Sequence, residues 1–280
     1  MTTLATYLFG FRVEAIKYPW REAINSALEL SDAVWFAACD EETLQLAHDF
    51  RRNNSKLHII RREWGTHHSI QARLGNDLLG CIGQDYDYAF KQDADEVACE
   101  WSFPEFREEL EVMNKNNVLL GRPHYTHFSP DFETTWPFIY SSKATICQTR
   151  ACFRYNTDPR QGNADACALG GAPEFQTRLE LFHYGKVGYG REREALEKEV
   201  EFQKLYSHPE DAIGFPDPKV IAQIPQGYLD YTKVFDVSLS RGEFKRYDGP
   251  HPKFVRGWRQ EMEARHKRFV QEMSLNRSAM

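Results

Sequence analysis

The N-terminal half of the chain alternates between short apolar runs and longer stretches whose apolar positions fall three and four residues apart. Residues 6–12 (TYLFGFR) are apolar and aromatic and predict a strand. Pro19 then opens a helical pattern with Ala23, Ile24, Ala27, Leu28 and Leu30 on one side. A proline near a helix start costs nothing, because the first N–H groups of a helix have no partner within it. Residues 33–39 (AVWFAAC) are apolar without interruption, as expected of a strand covered on both faces. Asp40 is placed to cap a helix over 41–52. The rhythm continues with a strand at 57–60, a helix at 68–82, a strand at 86–92 (YDYAFKQ), a helix at 103–114 and a strand beginning at 118–120.

This β-α alternation predicts an α/β fold with a mostly parallel central sheet flanked by helices. Ligands in such sheets bind beyond the C-terminal ends of the strands. That rule singles out Arg12 and Glu14, Asp40, Trp64 and the stretch 93–96. The second half reads differently. Residues 136–155 suggest extended antiparallel structure, 158–173 a loop rich in Gly, Asn, Asp and Pro, 179–183 a short strand and 191–206 a charged helix. Beyond 207 prolines are frequent and periodicity is weak until a helix at 253–273.

At 280 residues, 41% of them hydrophobic, the chain can bury a sizeable core. It has no apolar run of about 18 residues, so no transmembrane segment is expected. The first ten residues show neither the basic region nor the apolar core of a secretory signal, which makes the cytoplasm the expected compartment. The six cysteines form no CxxC pair and are expected as free, buried thiols. A net charge of −6 gives no general case for nucleic-acid binding. The charge is uneven, however: residues 241–280 carry +5 and the remainder −11. A basic tail suits an anionic partner or, more simply, a solvated helix face.

The sharpest chemical feature is Lys91-Gln92-Asp93-Ala94-Asp95-Glu96, with three carboxylates in four residues at a strand end. Carboxylates this close repel unless a cation or solvent compensates them. Mg²⁺ and Mn²⁺ favour such oxygen donors and keep positions open for phosphate oxygens. The plain structural reading is an acidic turn in which Asp95 caps a helix.

Several segments in order resemble the family-two-like inverting glycosyltransferases of the GT-A fold, in the bacterial and viral subgroup with a QADE or DADE box. They are FRVEAIKYPWREAINSAL, SDAVWFAACDEETLQLA, REWGTHHSIQARLGNDLL, DYDYAFKQDADEV, LFHYGKV and YDGPHPKFV. The resemblance implies a GT-A-type, Rossmann-like sheet with a C-terminal antiparallel and helical extension. It implies a catalytic domain over 1–206, with a nucleotide-binding half (1–116) and an acceptor half (117–206). The extension, 207–280, would pack on it.

By the same resemblance, Asp40 would accept a hydrogen bond from the uracil N3–H of a UDP-sugar, and Arg12 and Glu14 would touch base or ribose. Trp64 and Arg73 would contact the donor. Asp95 would hold Mn²⁺ or Mg²⁺, Asp93 would bind sugar hydroxyls or the metal, and His183 would be a third metal ligand. Glu96 would stand behind these or be merely exposed. Lys186, or less directly Lys198, would hold a phosphate. The general base would be Asp165, with Glu174 as its rival. Trp64, Tyr125, Phe128, Trp136 and Tyr140 are candidates for stacking on sugar rings, although aromatic residues are more often core.

The activity implied is transfer of a hexose from a nucleotide sugar to an acceptor hydroxyl with inversion. The acceptor stays open among glycan, lipid-linked sugar, protein and modified DNA. Two other readings stay open. A nucleotidyltransferase would normally carry a Gly-rich phosphate loop near the N-terminus, and LFGFR has a single glycine. The other is a non-catalytic nucleotide- or glycan-binding protein.

Overall fold

The computed structural model describes residues 1–52, 54–65, 70–129, 131–137, 143–151, 174–185, 187, 197 and 243–278. Its strands are β1 (Leu4–Gly10), β2 (Ala33–Ala38), β3 (Leu57–Arg61), β4 (Tyr88–Lys91), β5 (Glu96–Ala98), β6 (Leu120–His127), β7 (Thr134–Thr135), β8 (Ile146–Gln148), β9 (Glu174–His183) and β10 (Lys245–Arg246). The helices are α1 (Val13–Ile16), α2 (Trp20–Leu30), α3 (Glu41–Arg51), α4 (Ile70–Ile82), α5 (Phe103–Lys115) and α6 (Arg256–Ser278). Eight strands form one sheet in the order β3-β2-β1-β4-β8-β6-β9-β5, and β10 pairs with β7 in a second.

The expected α/β architecture is present, and its parallel part is the block β3-β2-β1-β4. Beyond β4 the sheet is mixed: β8 runs antiparallel to both β4 and β6, β9 parallel to β6, and β5 antiparallel to β9. Side chains alternate between the two faces. Ala5, Tyr7, Phe9, Trp35 and Ala37 pack with Ala72, Leu74, Leu78 and Ile82 of α4 on one face. Leu8, Val34, Phe36 and Ala38 pack with Trp20, Ile24 and Ala27 of α2 on the other. Trp20 lies stacked on Phe36 at 5.9 Å between ring centroids. Burial of each such side chain contributes about 1.5–3 kcal/mol, which anchors α2 beneath the strand ends.

β1 ends two residues earlier than the apolar run suggests. Arg12 takes a left-handed backbone conformation (φ 52°), and its N–H donates to Asp40 Oδ2 at 2.7 Å. A Cβ at Gly10 would stand 2.7 Å from the Phe36 ring and 2.9 Å from Val13, so the strand closes on a residue with no side chain. β9 is longer than expected, because its first half alternates polar residues and gives no apolar run. Among the described residues the 136–155 stretch yields one short strand, β8, antiparallel as expected, and a 3₁₀ turn over Thr149–Ala151. Cys39, Cys99 and Cys147 are free and buried as expected, but Cys81 is exposed on α4, so that expectation fails there. Cys152 and Cys167 lie outside the described residues.

The tail from 243 onward packs on the far end of the sheet. Val255, Trp258 and Met262 join Phe128, Phe132, Phe182 and Tyr184 in one apolar cluster. The expected domain boundary at 206/207 lies outside the described residues. His251 sits inside this cluster, with its Nδ1 2.8 Å from the Tyr184 hydroxyl. Burial, helped by the charge of Arg259, drives the imidazole pKa down to about 4 against the smaller opposing effects of the Phe132 backbone and Glu263. Between its ordinary value and about 4 the unfolded chain therefore binds a proton that the folded chain refuses. Stability attributable to His251 should be full above pH 6.5 and fall as the pH drops toward 4. Melting curves from pH 7 to 4.5 should show a steeper loss in the wild type than in His251→Phe; parallel curves would refute the assignment.

No described helix is long and apolar enough to cross a membrane.

Candidate functional site

The strands of the parallel block all end on one edge. The order β3-β2-β1-β4 places the reversal of winding between β1 and β4, where open α/β sheets bind ligands. Phe11 and Arg12 leave β1 there, Asp40 leaves β2, Trp64 follows β3, and Gln92 to Asp95 follow β4. β9 delivers His183 to the same place, because Glu96 of β5 pairs with His183 in the ladder.

The turn from β4 to β5 is held by a buried residue whose role the sequence did not disclose. Gln92 is fully buried; its side-chain amide donates to Ala23 O and Ser26 Oγ of α2 (both 3.2 Å) and to Glu96 O (2.7 Å). Ser26 Oγ also accepts from Ala98 N at 3.1 Å. These bonds pin both strands to α2 and fix the direction of the carboxylates between them. Asp95 is not a helix cap: it precedes a strand, and its carbonyl accepts from Tyr184 N at 2.9 Å.

Asp95 Oδ2 faces His183 Nε2 at 3.3 Å. Two donors bound side by side to one octahedral cation at about 2.1 Å are about 3.0 Å apart, so the spacing and the carboxylate-plus-imidazole chemistry fit a divalent metal. A Cβ on Gly185 would run into the Asp95 carboxylate and lie 3.0 Å from His183 Cε1, so the pair needs a glycine at that position. Burial works to lower the His183 pKa, but the charge and hydrogen bond of Asp95, with Glu96 behind it, outweigh burial and raise it. His183 Nδ1 is buried with no hydrogen-bond partner among the described residues. No group of three His, Cys, Asp or Glu side chains among the described residues stands ready as a metal cage.

Asp93 is held differently. Lys91 Nζ lies 2.9 Å from its Oδ1 and Lys143 Nζ 2.9 Å from its Oδ2. Lys143 also reaches Glu96 Oε1 at 3.4 Å and sits over the Tyr125 ring. Lys91 is buried, its ammonium 5.5 Å from the centre of the Phe9 ring. Glu96 is not exposed: only 1% of it is accessible, and its Oε2 accepts from Asp93 N at 2.9 Å. Burial, opposed by Lys143 and reinforced by Asp93, pushes its pKa up to about 7. The K-x-D spacing of Lys91 and Asp93 was visible in the sequence; Lys143, fifty residues on, carried no signal.

Asp40 caps α3, accepting from Thr43 N at 2.8 Å and Thr43 Oγ1 at 2.7 Å besides Arg12 N. Glu14 accepts from Trp20 Nε1 at 3.1 Å and from Arg21, and Lys17 lies 3.8 Å away. Burial alone would raise the Glu14 pKa, but these partners together hold it below the usual carboxylate value. Trp64 stacks on Phe11 at 5.3 Å and 15°. Arg73 is exposed in a groove of about 460 Å³ shared with Arg61, Arg62 and Asp77, which does not include Asp93, Asp95 or His183.

Of the other aromatic candidates, Tyr125 borders the lysine cluster and bonds Thr145 Oγ1 at 3.2 Å. Phe128 and Trp136 are buried, Phe128 within the aromatic cluster of the tail. Glu174 opens β9 and pairs with Arg122; at about 3.3 Å per residue it lies about 30 Å along the strand from His183. Asp165, Lys186, Lys198 and Tyr140 lie outside the described residues.

Replacing Gly185 with alanine should drive the Asp95 carboxylate from its place; if the pair holds Mn²⁺, binding measured by electron paramagnetic resonance should be lost with it. Unchanged affinity would show that the Asp95–His183 contact is not needed to hold a metal.

No protein-family model and no curated protein matches the chain. Among solved structures it is similar to 4-diphosphocytidyl-2C-methyl-D-erythritol synthase from Anaerococcus prevotii DSM 20548, at 7% identity over 72% of this chain and 96% of that one, with a TM-score of 0.38. It is similar to GalNAc-T7 crystallised with UDP, GalNAc and Mn²⁺, at 9% identity and a TM-score of 0.41, over 100% of this chain but only 58% of that one. A nucleotide-diphospho-sugar transferase, so described, from Desulfovibrio desulfuricans G20 overlaps 73% of this chain and 89% of its own at 8% identity and a TM-score of 0.36. Overlap at this level transfers neither activity nor ligand to this chain.

Proposed function

We propose that the protein transfers a hexose from a UDP-sugar to an acceptor hydroxyl with inversion, assisted by Mn²⁺ or Mg²⁺ at Asp95 and His183. The observation that carries this reading is the Asp95–His183 pair, set 3.3 Å apart at the edge where the parallel strands end. When bound there, the cation supplies positive charge to the departing diphosphate.

The chain's own residues do the rest. The Trp64–Phe11 stack presents an aromatic surface for the base. Asp40 Oδ1, which accepts one bond from Thr43 N, keeps a lone pair for the uracil N3–H. Arg12 and Glu14 border the ribose, and Arg73 approaches the donor from α4. Asp93 accepts from sugar hydroxyls while its lysines hold it in place. Lys186 meets the phosphates as a point charge. The acceptor oxygen attacks the anomeric carbon as the bond from that carbon to the diphosphate oxygen breaks, and the acceptor proton passes to Asp165. The acceptor is a glycan, a lipid-linked sugar, a protein or modified DNA.

Calorimetric titration with UDP and a panel of nucleotide sugars, with and without Mn²⁺, tests the reading. The wild type should bind UDP or one UDP-sugar in a metal-dependent way and Asp95→Ala should not. Absence of binding by any nucleotide under either condition would sink it.

A further inference from the structure

Trp101 is the one Phe, Tyr or Trp that stands exposed among the described residues, with 39% of it accessible. It lies in the 3₁₀ turn Glu100–Ser102, which leads from β5 into α5. The ring is nonetheless fixed. Its Nε1–H donates to Glu180 Oε2 at 2.8 Å, and it meets Phe182 at 75° with 5.8 Å between ring centroids. Glu180 is half-buried, and its Oε1 accepts no hydrogen bond among the described residues. Two residues back on the same side of β9, the Arg178 side chain is 68% exposed and reaches Glu105 at 3.3 Å. His183 alternates with Glu180 and Phe182, so it faces the other side of β9, and it lies about 10 Å further along the strand from Glu180.

We propose that Trp101, Glu180 and Arg178 form a glycan-binding surface, separate from the Asp95–His183 edge, on which one pyranose ring of an oligosaccharide stacks. The ring's axial C–H groups present an apolar, weakly positive face that suits the negative face of an indole. Its hydroxyls need donors and acceptors beside that platform, and Glu180 Oε1 and the Arg178 guanidinium supply both kinds. A protein partner is the poorer fit. An interface anchor sits in a packed pocket among other apolar groups, whereas Trp101 stands beside polar side chains. The bond to Glu180 holds the indole in place before any ligand arrives, which lowers the ordering cost of binding. The inference stands apart from the transferase reading, since it invokes neither the donor nor a metal.

The full chain, labelled with ¹⁵N on its tryptophan indoles, is titrated with short oligosaccharides of glucose, galactose, mannose and N-acetylglucosamine, without nucleotide or divalent metal. Trp101→Ala identifies the Trp101 indole resonance by its disappearance. That resonance should move saturably with at least one oligosaccharide. Affinity, measured by calorimetry, should fall about tenfold in Trp101→Ala. Arg178→Ala, which leaves the indole in place, should weaken binding a few-fold. Asp95→Ala should bind the oligosaccharide as the wild type does. No saturable shift with any member of the panel, wild-type affinity in Trp101→Ala, or loss of binding in Asp95→Ala would each overturn the proposal. Far-ultraviolet circular dichroism establishes that each variant is folded. The nucleotide titration decides the transferase reading separately, because no donor is present here.

Discussion

On the proposed transferase reading, His183→Ala should lower the rate of sugar transfer by about 10²–10³-fold while leaving the chain folded. The imidazole stands at the C-terminal end of β9, paired in the ladder with Glu96 and 3.3 Å from Asp95. Under the proposed mechanism its loss would remove one of two metal donors, and it leaves the Asp95 carboxylate without its imidazole partner. The effect should fall on kcat and on the metal concentration needed for half-maximal rate, and only weakly on KM for the acceptor. Raising Mn²⁺ should therefore restore part of the rate. Steady-state kinetics across a Mn²⁺ series measures this. A His183→Ala enzyme with wild-type rate and metal dependence would remove the Asp95–His183 pair from the chemistry.

The parallel half of the fold was legible because its signals are local. β2 is an uninterrupted apolar run, α2 carries a clean apolar stripe after Pro19, and Asp40 has both the side chain and the position of a helix cap. Asp95 and His183 stand out in the sequence because carboxylate and imidazole are chemically conspicuous beside strands, and the fold brings them to 3.3 Å of each other; their role as ligands belongs to the proposal. What escaped depends on distant segments meeting. Gln92 reads as an ordinary polar residue, and only the approach of Ala23 and Ser26 from α2 makes it a buried pin. Glu96 follows a turn and looks solvated, yet β9 covers it. The burial of Lys91 and the reach of Lys143 across the cluster have the same origin. An acidic box read alone suggests a vacancy for cations, whereas the fold has already placed two ammonium groups on Asp93.

The same dependence on distant contact makes the tail part of the core, and Trp258→Ala should expose it. Trp258 is only 8% accessible and meets Phe132 and Tyr184 edge-on at 5.4 and 5.6 Å. Truncating a buried tryptophan removes its apolar burial and leaves a cavity that neighbours fill only in part, a cost of about 3–5 kcal/mol. Tyr184 would lose one wall of its packing while keeping its bond to His251. Since Tyr184 follows His183 and its N–H anchors the Asp95 carbonyl, loosening it should also weaken the Mn²⁺ binding proposed for that pair. Urea unfolding gives the stability change and the Mn²⁺ titration gives the second readout. A stability loss below about 1 kcal/mol would mean the tail is dispensable to the core. A large loss with unchanged Mn²⁺ affinity would confine the tail to stability and detach it from the site.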